Sequence, residues 1–124
     1  MAVYWLAGAC VLLAWTTYLL LHSSVTPEER ERRRRLRVHA AGRVTDAVIT
    51  EARVETTPSG AVVHLMLYTY DIRGVSYSAS QDISNLLAYL DRDPDRLAGP
   101  ATAKYLPGNP SNSIVMCEEW SGVR

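Results

Sequence analysis

The chain opens with an unbroken apolar block. From Ala2 to Leu21 no residue carries a charge, and Leu, Ala, Val and aromatic side chains dominate. Twenty residues of α-helix rise about 30 Å, the thickness of a bilayer's hydrocarbon core. The pattern therefore predicts a transmembrane helix over residues 1–22. Tyr4 and Trp5 at one end and Tyr18 near the other stand where amphipathic rings favour the interface, whereas Trp15 lies deeper and is expected to pack against a neighbour. Ala7, Gly8, Ala9 and Ala14 are small enough for another helix to approach closely. A cleaved signal peptide is the competing reading. It fits poorly, because no basic residue precedes the block and His22-Ser23-Ser24-Val25 makes a weak cleavage site.

After a link through Ser23-Ser24 the pattern turns strongly polar, and Thr26-Pro27-Glu28-Glu29 spells a helix start. Thr26 suits the N-cap, Pro27 the first turn, and Glu29 the third position of a capping box. Glu28, Glu29 and Glu31 each precede an arginine by four residues, the favourable order for helical ion pairs. Gly42 suits the position just past the helix end. A second helix is thus predicted from Pro27 to about Ala41.

Beyond Gly42 the period shortens to two. Val44, Asp46, Val48 and Thr50 alternate with Thr45, Ala47, Ile49 and Glu51, predicting a strand with one exposed edge. The turn cluster Thr56–Gly60 follows, and then Ala61–Ile72, apolar on both alternating faces in its first half. That run predicts a central strand covered on both sides, with Leu65 and Leu67 buried. Arg73-Gly74 predicts a tight hairpin into Val75-Ser76-Tyr77, with Gly74 at positive φ. Leu86, Leu87 and Leu90 predict a short helix over 84–90 capped by Ser84. Residues 91–100 read as loop or a further helical turn, Ala103-Lys104-Tyr105 as a short strand, Pro107–Pro110 as a turn and Ser113–Cys117 as a last strand.

The fold class expected is α+β: one transmembrane helix (1–22), an arginine-rich juxtamembrane helix (23–41) and a small mostly-β domain (42–124). The domain should have about five strands, one short helix and a single core.

Charge refines this picture. The formal total is zero, yet six arginines (Arg30, Arg32, Arg33, Arg34, Arg35, Arg37) face only three glutamates between Glu28 and Arg37. From Val38 onward seven basic residues oppose ten acidic ones. A mildly acidic head argues against nucleic acid as its partner. The arginines lie only beyond the C-terminal end of the apolar block, so the positive-inside rule expects the head in the cytoplasm. The collar itself can lie on anionic lipid headgroups, grip an acidic surface of another membrane subunit, or serve only as topology signal and solvated helix face.

Candidate chemistry is thin. Cys10 and Cys117 fall in different parts of the molecule, giving no disulfide framework, and both read as buried free thiols. The acids of Cys117-Glu118-Glu119 would oppose thiolate formation. His22, His39 and His64 form no ligand cluster, and His64 reads as a core histidine. Asp91, Asp93 and Asp95 are spaced as in a calcium loop, but Pro94 interrupts them and no glycine stands at the sixth position. No phosphate-binding, hydrolase or metalloprotease motif is present. Neither a metal nor a cofactor is expected, and the chain is not expected to be an enzyme. Tyr68, Tyr70 and Tyr77 should cluster on the hairpin, either packing together or forming a partner patch.

Three blocks carry a family resemblance: Gly42–Val48, Tyr68–Tyr77, and Tyr105–Ser111 followed by Ser113. Together, over roughly 42–115, they resemble the small membrane-associated β domains grouped as domain-of-unknown-function family 3592. The resemblance implies a small β fold beside membrane helices and no particular activity. The functional expectation is a non-catalytic accessory or scaffolding subunit of a larger membrane complex, with energy-transducing assemblies (respiratory or photosynthetic) among the candidates. The alternative is a membrane-tethered peptide- or ligand-binding module.

Overall fold

The computed structural model describes residues 2–22 and 25–124, so the Ser23-Ser24 link lies outside the described residues. The chain divides into two compact units, Met1–Arg30 and Glu31–Arg124.

In the first unit α1 spans Ala2–His22, and each of its side chains is exposed. The helix is long and apolar enough to cross a membrane, a property it shares with signal sequences. Thr16 and Thr17 return their hydroxyls to carbonyls one turn earlier, so neither presents an unpaired donor on the apolar surface. Trp15, Tyr18 and His22 form an aromatic ladder, with the Tyr18 and His22 rings 4.0 Å apart. Cys10 is exposed on the helix rather than buried within the protein. α2 begins as its sequence predicts: the backbone N–H of Glu29 donates to Thr26 Oγ1 at 3.2 Å.

α2 spans Pro27–Ala41 and runs into the second unit. Gly42 closes it, donating its N–H to the Val38 carbonyl at 2.7 Å. The need for glycine here is spatial. A Cβ would stand 2.3 Å from that same carbonyl oxygen.

The head is built on one five-stranded antiparallel sheet in the order β3-β2-β1-β4-β5. Its strands are β1 (Arg43–Thr56), β2 (Val62–Ile72), β3 (Val75–Asp82), β4 (Gly99–Leu106) and β5 (Asn109–Ile114). Three hairpin-connected strands with the fourth returning beside the first make a Greek key. The outer strands β3 and β5 approach each other, curling the sheet into a partly open barrel. This is the architecture class that includes the OB-fold. Two short strands, β6 (Met116–Cys117) and β7 (Trp120–Ser121), form a second ladder.

The barrel interior holds Ala47, Ile49, Met66, Tyr68, Tyr70, Ile83, Leu86, Leu97, Ala101, Ala103, Val115 and Met116. A second cluster, Val38, Ile114 and Cys117, packs α2 on the outer side of β5 with Leu36, Leu106 and Trp120. Cys117 is buried and free, as expected.

Several expectations are corrected. β1, expected to have one exposed edge, is the middle strand, paired to β4 over Arg43–Ile49 and to β2 from Ala47 onward, while β2 is interior to the sheet, between β1 and β3, as a central strand should be. β2 is covered on one face only. Met66, Tyr68 and Tyr70 are buried there, while Leu65 and Leu67 are half-buried opposite Arg53 and Glu51. His64 is half-buried and joins the local frame through its backbone, its N–H donating to Ser84 Oγ. Ser84 therefore does not cap a helix. Residues Ser84–Tyr89 form a 3₁₀ helix preceded by Ile83, and a second covers Pro94–Arg96. β4 is longer than expected, and the last strand is broken at Val115. The break has a cause: the Gln81 carboxamide accepts from the N–H groups of Val115 and Met116 and donates to the Met116 carbonyl at 2.6 Å.

Candidate functional site

The arginine collar is not one surface. Arg35, expected to touch lipid or a partner, is buried, and its Nη2 donates to Glu118 Oε1 at 2.5 Å. Arg34 forms a fork on Glu31 through Nε and Nη2, at 2.9 and 2.7 Å, and reaches Asn112 Oδ1 and the Ser113 carbonyl through Nη1. The hydrogen bond to Glu31 is the main cause holding the Arg34 guanidinium above its ordinary pKa, against burial. These two arginines therefore fasten the helix to the head, Arg35 from a buried position and Arg34 from a half-buried one. The helical period explains why: positions 34, 35 and 38 share the face that meets β5. Arg30, Arg32, Arg33 and Arg37 are exposed. Glu31 pairs most closely with Arg34 three residues on, and only distantly (3.9 Å) with Arg35 four residues on.

The tyrosines do cluster, but inward. Tyr68 and Tyr70 stack with centroids 5.9 Å apart, and Tyr70 stacks on Tyr77 at 5.4 Å. Tyr68 and Tyr70 are 1% and 3% exposed, so they belong to the core; only half-buried Tyr77 meets solvent. As a partner patch the trio is thereby reduced to one ring. Their hydroxyls bridge the open side of the barrel: Tyr68 pairs with Ser113 Oγ at 2.7 Å, and Tyr70 donates to the Pro110 carbonyl at 2.6 Å. Burial pushes the Tyr68 hydroxyl pKa up to about 12.

On the outer face of β4, Lys104 lies 2.9 Å from His39 Nδ1 and 4.8 Å from the centre of the Trp120 ring, on which His39 also stacks. This group locks the helix end to the β6–β7 ladder. Residue spacing could not reveal it, since 65 positions separate His39 from Lys104.

A cleft of about 270 Å³ opens at one end of the barrel, lined by Arg43, Ile72, Arg73, Val75, Tyr77, Tyr105, Pro107 and Pro110. The β2–β3 and β4–β5 turns form its rims. Arg73 and Gly74 both have positive φ, 51° and 83°, the geometry of a type I′ turn. Gly74 adopts it freely. Arg73 does not, since a left-handed backbone costs a residue with a Cβ about 1 kcal/mol. The turn is legible in the residue order, and so is a signal for the misfit of its first residue: Arg stands where Asn or Gly usually precedes a turn glycine.

Among the described residues no group of His, Cys, Asp or Glu could hold a metal ion. Gly8, Tyr4, Trp5, Trp15 and Tyr18 all lie exposed on α1. No known protein family, curated protein or solved structure matches the chain.

Proposed function

We propose that this chain is a non-catalytic accessory or scaffolding subunit of a larger membrane protein complex, held by α1 as a single span with its head in the cytoplasm. The observation that carries the reading is α1 itself: 21 residues, with Leu6, Leu12 and Leu13 all about two-thirds exposed and no side chain of the helix covered by the chain. Such a surface demands hydrocarbon or other helices around it. The exposed arginines of α2 place positive charge just beyond the span, which supports the orientation and offers contacts to anionic headgroups. A cleft with a strained arginine at its rim favours a second reading, a membrane-tethered peptide-binding module.

Gentle detergent extraction, with purification through the C-terminus, tests the proposal. A stoichiometric membrane partner should co-purify. Gly8→Leu should loosen attachment without affecting insertion, because nothing in the chain occupies the space beside Gly8. Recovery of the protein as a lone monomer sinks the accessory reading in favour of the tethered module.

A further inference from the structure

We infer that the cleft between the β2–β3 and β4–β5 turns binds an acidic peptide segment, supplied, on the accessory-subunit reading above, by the partner subunit. Arg43 and Arg73 line it, both exposed and both without an ion pair among the described residues. No carboxylate lines the cleft; Asp46 and Asp71 line a separate depression over β1 and β2. Two unpaired guanidinium groups in one recess select for carboxylates, which they can hold through paired N–H donors.

The walls point to a peptide rather than a lipid surface. Tyr77, Tyr105, Pro107 and Pro110 give rigid aromatic and ring surfaces of the kind enriched at protein interfaces. They are held in place beforehand, Tyr77 by its stack on Tyr70 and Pro110 by the Tyr70 hydroxyl on its carbonyl. The cleft is also slightly smaller than the roughly 300–1,000 Å³ of dedicated small-molecule pockets, so it suits a few residues of a larger partner.

The backbone supplies an independent observation. Arg73 holds a left-handed conformation that Asn or Gly would adopt with less strain. Strain of this kind is retained where the side chain serves a purpose other than folding.

The experiment uses the full chain in uncharged detergent micelles, titrated with blocked oligoglutamate, with blocked oligoglutamine as the control and phosphatidylserine vesicles as the lipid arm. Backbone amide resonances report the site. Oligoglutamate should shift those of Arg43, Gly74 and Gly108, with the effect weakened at about 0.5 M salt. Arg73→Asn should raise the dissociation constant at least tenfold while raising the unfolding midpoint by about 4 °C, a combination that a folding role for Arg73 would not produce. Arg43→Gln should weaken binding to a similar degree.

Absence of shifts at the cleft overturns the inference, as does a larger response of these amides to phosphatidylserine, or an Arg73→Asn variant that binds as before. If a partner co-purifies but the cleft ignores oligoglutamate, the accessory reading stands and the cleft inference falls. If the cleft binds while no partner co-purifies, the reverse holds.

Discussion

Arg35 and Glu118, 83 positions apart in the chain, meet at 2.5 Å and seat α2 on the head. The pair is only partly satisfied, because Arg35 Nε and Glu118 Oε2 are buried without a hydrogen-bond partner. Removing one member leaves the other's charge exposed to a poor environment, so Arg35→Met should destabilise the head by about 3 kcal/mol. Adding Glu118→Leu should recover most of that loss, since two apolar side chains can replace an imperfect buried pair. Denaturant unfolding of the full chain in micelles, followed by near-ultraviolet circular dichroism, measures both variants.

The same pair sets an acid limit. Burial works to raise the Glu118 pKa, but the Arg35 hydrogen bond, a backbone hydrogen bond and the charges of Arg35 and Arg32 outweigh it, leaving the carboxyl below the ordinary value of about 4.3. With the folded pKa depressed, the unfolded state binds the proton more readily. The stabilisation is thus present above the unfolded value and is lost as pH falls through the folded one. Glu118→Gln should flatten this part of the stability curve below about pH 4.3, while leaving the slope between neutral pH and pH 6 unchanged.

At the alkaline end Tyr68 behaves oppositely. Its pKa is raised to about 12 by burial, so its contribution is complete below the unfolded value of about 10 and disappears as pH climbs from there to about 12. Tyr68→Phe should remove that limb and leave Ser113 Oγ without its partner, at about 1–2 kcal/mol near neutral pH. Tyrosinate absorbance followed alongside unfolding tests the first part. Ionisation of a tyrosine near pH 12 in the folded wild type and its loss in the variant is the expected result.

The two faces of β2 should differ sharply in their tolerance. Met66 is fully buried, and Met66→Ala should cost about 2–5 kcal/mol. Leu67 is half-buried beside Glu51 and Ser80, so Leu67→Ala should cost about 1 kcal/mol. Equal losses at both positions would mean that the outer face is covered in the intact protein.

Gly122 closes the C-terminal end against β4. Its N–H donates to the Val115 carbonyl and its own carbonyl accepts from Thr102, while a Cβ would lie 1.9 Å from the Thr102 oxygen. Gly122→Ala must therefore displace backbone and should lower stability by about 3 kcal/mol. Gly108→Ala, with open space around it, serves as the neutral comparison in the same thermal melt.

Local physics was legible in the residue order. The Ala2–His22 helix, the Thr26 cap, the Pro27–Ala41 helix and the Arg73-Gly74 reversal each depend on neighbours within about seven positions. Such signals of propensity, capping and turn geometry need no partner from afar. Long-range pairing was not legible. The apolar run of β2 correctly marks an interior strand, but the run by itself does not show that a second layer is absent over Leu65 and Leu67, so only one of its faces is covered. Nor does a run of arginines show which of them turn inward: that was decided when β5 and the Cys117–Glu118 segment came to lie under positions 34, 35 and 38. The cleft is likewise a product of tertiary structure. Arg43 opens β1 and Arg73 sits 30 positions later in the β2–β3 turn, and only the antiparallel ladders of β1 with β2 and with β4 bring them to one end of the barrel beside the β4–β5 turn.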